Sequence, residues 1–176
     1  MKSLAAFLSA CAASASFAAD PLATVGDIDL ARYAGRWYEV AKYPNRFQRD
    51  CISDTTATYT LREDGNVGVV NRCRTRDGID EASGVARRVD GRTDRLQVSF
   101  LPSALRWLPI GWGDYRVIEL APDYRYAVVG EPSRRYLWVL ARTPSLTDAD
   151  RKAIEARLPA HGYDAARLVD SPQEKN

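Results

Sequence analysis

Few side chains in this sequence of 176 residues have the types and spacing that reaction chemistry demands. The one histidine, His161, stands at the end of a helical stretch. There an imidazole ordinarily meets the negative helix end or the surface, not a nucleophile. The acids of Glu63-Asp64 and of Asp77, Asp80 and Glu81 fall in turn-rich stretches, where carboxylates are solvated. No glycine-rich phosphate loop occurs, and no His/Cys cluster has metal-ligand spacing, so neither cofactor nor metal is expected. Cysteine remains. Cys51 and Cys73 form a disulfide in the ordinary reading of a pair in an exported chain; the alternative is two separate thiols. The Asp64-Gly65 turn sets Cys73 against a residue near 56, so a bond would have to run through the segment leading into the strand.

The export reading comes from "MKSLAAFLSACAASASFAAD", one lysine before an apolar run closed by small residues. Residues 1–19 are expected to be a signal peptide cleaved near "SFA", leaving a soluble periplasmic chain that acts as a monomer or weak dimer. The alternative is lipidation at Cys11, because "LSAC" has the pattern of a lipobox and would make an outer-membrane lipoprotein. No later stretch is long and apolar enough for a membrane-spanning helix. With Lys2 removed, 24 basic residues stand against 23 acidic ones. That balance gives no electrostatic case for nucleic acid.

The elements that must position any site are strands. Alternating runs are separated by Asp64-Gly65, Asp90-Gly91, Pro122-Asp123 and Glu131-Pro132-Ser133. About eight strands at short intervals predict an all-β sandwich or up-and-down barrel. In "YAGRWYEVAKYPNRF" strict alternation places Trp37, Glu39, Ala41 and Tyr43 on one face, and Tyr38, Val40 and Lys42 on the other. One helix is predicted over 147–158. Thr147 is its N-cap, Asp148 and Asp150 fill the first turn, Ile154 and Leu158 share a face, and Gly162 follows. It must lie on an outer wall of the sheet. In "RYLWVLAR" the aromatic face of Tyr136, Trp138 and Leu140 is read as interior, and the aliphatic face of Leu137, Val139 and Ala141 as meeting the helix. The "SPQEKN" tail reads as disordered, with residues 173–176 outside the domain of 20–172.

Three blocks resemble those of the lipocalins: "GRWYEV" at 35–40, "APDYRYAVV" at 121–129 and "YLWVLARTP" at 136–144. They occur in the family's order, with a helix after them, and the likeness is to bacterial lipocalins and apolipoprotein D. Ala121 or Pro122 stands where the second block usually carries threonine. The resemblance implies an eight-stranded antiparallel barrel, closed at one end, around a small hydrophobic ligand such as a fatty acid, lysophospholipid or phospholipid. Its role would be binding, storage or transport in envelope lipid maintenance, without catalysis. It also implies that Trp37 plugs the closed end beneath Arg142, a cation–π contact of about 1–2 kcal/mol when desolvated, with Gly35 allowing close backbone passage.

Within such a barrel, Trp138, Tyr136 and Leu140 are expected to line the cavity, with Phe100 at its mouth. Tyr115 and Val117, or else Tyr126 and Val128, would face inward. The segment 101–112 crowds Leu101, Leu105, Trp107, Leu108, Ile110 and Trp112 between prolines and glycines. It reads as a loop that either touches a membrane during ligand exchange or packs on its own barrel. A thiol-dependent enzyme acting on a lipid or oxidised substrate is the rival class.

Overall fold

The computed structural model describes residues 21–174; the leader and Cys11 fall outside that range. Eight strands make the wall: β1 (Gly35–Lys42), β2 (Ser53–Leu61), β3 (Val67–Thr75), β4 (Gly78–Val89), β5 (Arg92–Ser99), β6 (Gly113–Leu120), β7 (Tyr126–Gly130) and β8 (Leu137–Ala141). Each pairs antiparallel with the next, and β1 pairs with both β8 and β2. The sheet therefore closes into the up-and-down barrel predicted above. Two short helices flank it, α1 (Leu30–Tyr33) before the wall and α2 (Asp148–Arg157) after it. A two-residue strand, β9 (Val169–Asp170), comes last and lies along β1.

Alternation gives the wall two apolar faces. The inner one gathers Trp37, Tyr59, Val69, Val117, Val129 and Leu140. The outer one joins Val128, Leu137 and Val139 to Ile154 and Leu158 of the helical segment. Thr147 caps α2, its Oγ1 accepting from Asp150 N at 3.1 Å. Tyr163 crosses β7 beyond the helix: its hydroxyl accepts from Glu131 N and donates to Glu131 O. It lies so close to Gly130 that a Cβ there would stand 2.3 Å from the phenolic oxygen.

Single-residue bulges change the strict alternation. Glu39 pairs with Leu140 but Ala41 pairs with Val139, so Val40 is extra. Trp37 and Glu39 consequently point inward, whereas Ala41 and Tyr43 turn outward into the helix-facing cluster. The expectation that all four share a face is corrected by that one residue. A second bulge, at Ile118, leaves both Ile118 and Glu119 facing outward and turns Leu120 inward.

At one end, α1 and the turns at 62–66, 90–91 and 121–125 close the barrel. At the other, the loops at 43–52, 76–77, 100–112 and 131–136 surround an opening. Near that opening β1 parts from β2, their pairing reaching only Tyr38 opposite Thr56. Residues 169–174 fill the gap. Ser171 N donates to Val40 O, Gln173 Nε2 donates to the carbonyls of Glu39 and Thr55, and Glu174 N donates to Asp54. Ser171 to Glu174 are thus fixed in place, contrary to the expected disorder of the tail. The carbonyls orphaned where two strands diverge need donors, and these residues provide them.

Candidate functional site

The closed end is built from the residues of α1 and the start of β1. Asp29 caps α1, accepting from the amides of Ala31 and Arg32. The fully buried Trp37 donates its indole N–H to Tyr33 O at 2.8 Å. Arg142 covers the indole at 3.9 Å and donates to the carbonyls of Arg32, Tyr33, Ala34 and Arg36. Gly35, with φ of +94°, brings the strand backbone beneath that guanidinium. The arrangement is a plug held by hydrogen bonds and contains no reactive group.

Above the plug lies a cavity of about 320 Å³, open toward the loops. This is at the small end of the range for small-molecule sites. Trp138, Leu140, Tyr115 and Phe100 line it, as do Val69 and Val129. Val117 is fully buried in the inner cluster and does not line the open space. Tyr136 stands at the rim, stacked on Trp138 with centroids 5.9 Å apart and facing Phe47 at 5.4 Å. Tyr126 is a correction. With Val128 it packs in the outer cluster against the helical segment, because Ala127 and Val129 take the inward positions of β7.

Two polar groupings interrupt the apolar lining, and periodicity named neither. In the first, Glu39 is 4% exposed, paired with Lys42 Nζ at 3.0 Å. It accepts from Gln48 Nε2 and from Ser171 Oγ. Gln48 in turn accepts from the Trp138 indole at 3.0 Å, so the carboxylate fixes the rotamer of the cavity's largest side chain through one intermediary. In the second, three phenols form a chain: Tyr33 Oη lies 2.6 Å from Tyr115 Oη, which lies 3.0 Å from Tyr59 Oη. Burial, followed by the influence of Tyr59, lifts the Tyr33 pKa well above its ordinary value. Burial likewise raises Tyr115 well above it and Tyr59 to about 12. All three are neutral hydroxyls at physiological pH. The inward alternation of Ala57 and Tyr59 on β2 carried a signal for one of them.

Cys51 and Cys73 are joined, with Cα atoms 5.6 Å apart. The bulge between Ser53 and Thr56 brings the lead-in residue back to β3, a route that straight pairing would not supply. Both cysteines border the cavity near its mouth.

Of the ten exposed large hydrophobic residues among those described, seven surround the opening: Phe47, Ile52, Ile79, Phe100, Leu105, Trp107 and Ile110. Trp107 is 78% and Ile110 70% exposed. Trp112 of the same loop instead packs on the barrel, under the Arg87 guanidinium at 3.9 Å.

Comparison with known proteins agrees with this architecture. Residues 28–173 match the model of the lipocalin-like domain. Temperature-induced lipocalin-1 of Arabidopsis thaliana is 39% identical over 152 residues, 85% of this chain and 81% of that protein. Outer membrane lipoprotein Blc of Escherichia coli is 36% identical over 148 residues, 82% and 79% of the two chains. Apolipoprotein D of Mus musculus is 29% identical over 161 residues, 84% and 78%. With the closed barrel, the Trp37–Arg142 plug and the matched domain together, the chain belongs to the lipocalin family.

Proposed function

We propose that this protein binds and carries a lipid with one acyl chain, a fatty acid or lysophospholipid, within the cell envelope. The observation that carries the reading is an apolar cavity of about 320 Å³ whose opening is ringed by exposed apolar side chains. The small volume favours one chain over the two of a phospholipid. Each buried methylene contributes about 0.8 kcal/mol, so ten give roughly 8 kcal/mol before the cost of ordering. That suits exchangeable, micromolar binding.

The rim supports loading at a membrane surface. Arg46, Arg49 and Arg106 lie in the same loops as Phe47, Ile52, Trp107 and Ile110, and Arg76 lies in the turn before Ile79, so apolar insertion and attraction to anionic headgroups act at one end. Export through residues 1–19 into the periplasm, with a lipid anchor at Cys11 as the alternative, would deliver the chain to such a surface. The relative from Escherichia coli is itself an outer membrane lipoprotein. The rival thiol-enzyme reading lacks a nucleophile while Cys51 and Cys73 are joined.

Native mass spectrometry of protein purified without detergent tests the reading. A bound mass equal to a single-chain lipid, lost on organic extraction and regained on adding tetradecanoate, is expected. Protein that carries no lipid and takes up none after extraction would overturn it.

A further inference from the structure

The phenol chain at the cavity floor has one proton too many for its own bonds. Three hydroxyls bring three O–H donors, and the contacts Tyr33–Tyr115 and Tyr115–Tyr59 use two. No other hydrogen bond engages these oxygens among the described residues. Whichever way the chain is polarised, one donor is left over. Tyr59 and Tyr115 border the open cavity whereas Tyr33 sits behind them in the plug, so the spare proton can be directed into the space a ligand would fill.

Where the charge lies decides what kind of acceptor fits the floor. The charged residues lining the cavity, the acids Glu39, Asp80 and Asp114 and the base Arg72, sit toward the opening and not beside the phenols. Arg72 is itself paired with Glu81 at 3.3 Å, and Lys42 with Glu39. Arg142 is engaged by four main-chain carbonyls on the other side of the Trp37 ring. A carboxylate at the floor would be desolvated, facing one neutral donor and no free cation, and burial of such a charge is prohibitive. An uncharged oxygen needs only the one donor that is present.

Building on the carrier reading above, we propose that the Tyr33–Tyr115–Tyr59 chain is a recognition point for a single uncharged acceptor oxygen, such as a ketone, aldehyde or ester carbonyl, on the end of a lipid that enters the barrel first. An ionised head group stays at the rim.

The test uses displacement of the fluorescent probe N-phenyl-1-naphthylamine from the folded protein. Three competitors are compared: dodecyl methyl ketone, the isosteric alkene bearing =CH2 in place of its C=O, and tetradecanoate. In the double variant Tyr59→Phe/Tyr115→Phe, the ratio of ketone to alkene affinity is expected to fall about tenfold, because the carbonyl then lacks its donor. Tetradecanoate affinity should move by less than about twofold, its carboxylate lying at the rim. Infrared spectra give a readout that needs no variant: the carbonyl stretch of bound ketone should lie below its value in hexane. A ratio that does not move in the double variant, an unshifted carbonyl stretch, or a fall confined to tetradecanoate overturns the floor assignment. If no competitor displaces the probe from the wild type, the carrier reading itself fails, and the two failures are thereby told apart.

Discussion

Arg142 has no carboxylate partner among the described residues; main-chain carbonyls and the face of Trp37 hold it instead. Burial lowers its pKa from the usual arginine value, yet it stays charged at any physiological pH. Replacing it by methionine keeps the stem and removes the donors. Arg142→Met is expected to cost about 2–3 kcal/mol, the combined loss of the cation–π contact and the carbonyl hydrogen bonds, and urea denaturation would read it. This pair was legible in the sequence because a tryptophan after Gly35 and an arginine after "YLWVLA" stand in an ordered set of blocks. The phenol chain was not. Tyr33, Tyr59 and Tyr115 come from α1, β2 and β6, and nothing local in any of those stretches says that their hydroxyls meet. Glu39 was legible only in part: alternation puts it on the face of Trp37, but its burial depends on Lys42, Gln48 and Ser171, which no local signal brings to it.

At the scale of elements, α2 was readable almost to the residue, since Thr147, the acidic first turn and the Ile154–Leu158 stripe are local signals. Thr147→Ala should destabilise the protein by about 1 kcal/mol, seen as a lower urea midpoint at unchanged slope. The helix is also tied to the barrel through Asp150. Hydrogen bonds from Arg125 hold its carboxyl below the ordinary aspartate range. Asp94 also ends below that range: burial alone would raise it, but hydrogen bonds from Arg92, Thr24 and Gly26 outweigh this. A depressed carboxylate stabilises the fold above its unfolded pKa and stops doing so as pH falls through the folded value. The urea midpoint should therefore be level from about pH 7 to 5 and fall below about pH 4. Asp150→Asn should remove part of that fall. What alternation missed were the bulges at Val40 and Ile118. One extra residue moves the following side chains to the other face, and no propensity signals it. The inward phase of β6 and the outward placement of Tyr126 depend on pairing across strands, so the sequence left them as alternatives.

For the whole molecule, the apolar residues of three separate segments gather around one opening, although each reads alone as an ordinary loop or strand end. Only the 101–112 segment was dense enough to be noticed. If this ring inserts into bilayers, Trp107→Ser/Ile110→Ser should reduce flotation with anionic liposomes severalfold while leaving probe binding in the cavity intact. Unchanged flotation would confine the ring to packing. Ser171 and Gln173 read as part of a disordered tail on polarity alone, whereas their side chains satisfy groups left open between β1 and β2. Truncation after Asp170 should cost about 2 kcal/mol or more, since the buried Glu39 charge loses a donor, and should speed probe release in stopped-flow mixing.

That seam has a consequence for biogenesis. Ser171 meets Glu39 across 132 positions of chain, so a nascent polypeptide cannot finish its wall until translation has passed Glu174. Contacts of such long range form slowly. If the chain is exported as proposed, a channel that takes up extended polypeptide during synthesis would receive it before it could knit shut.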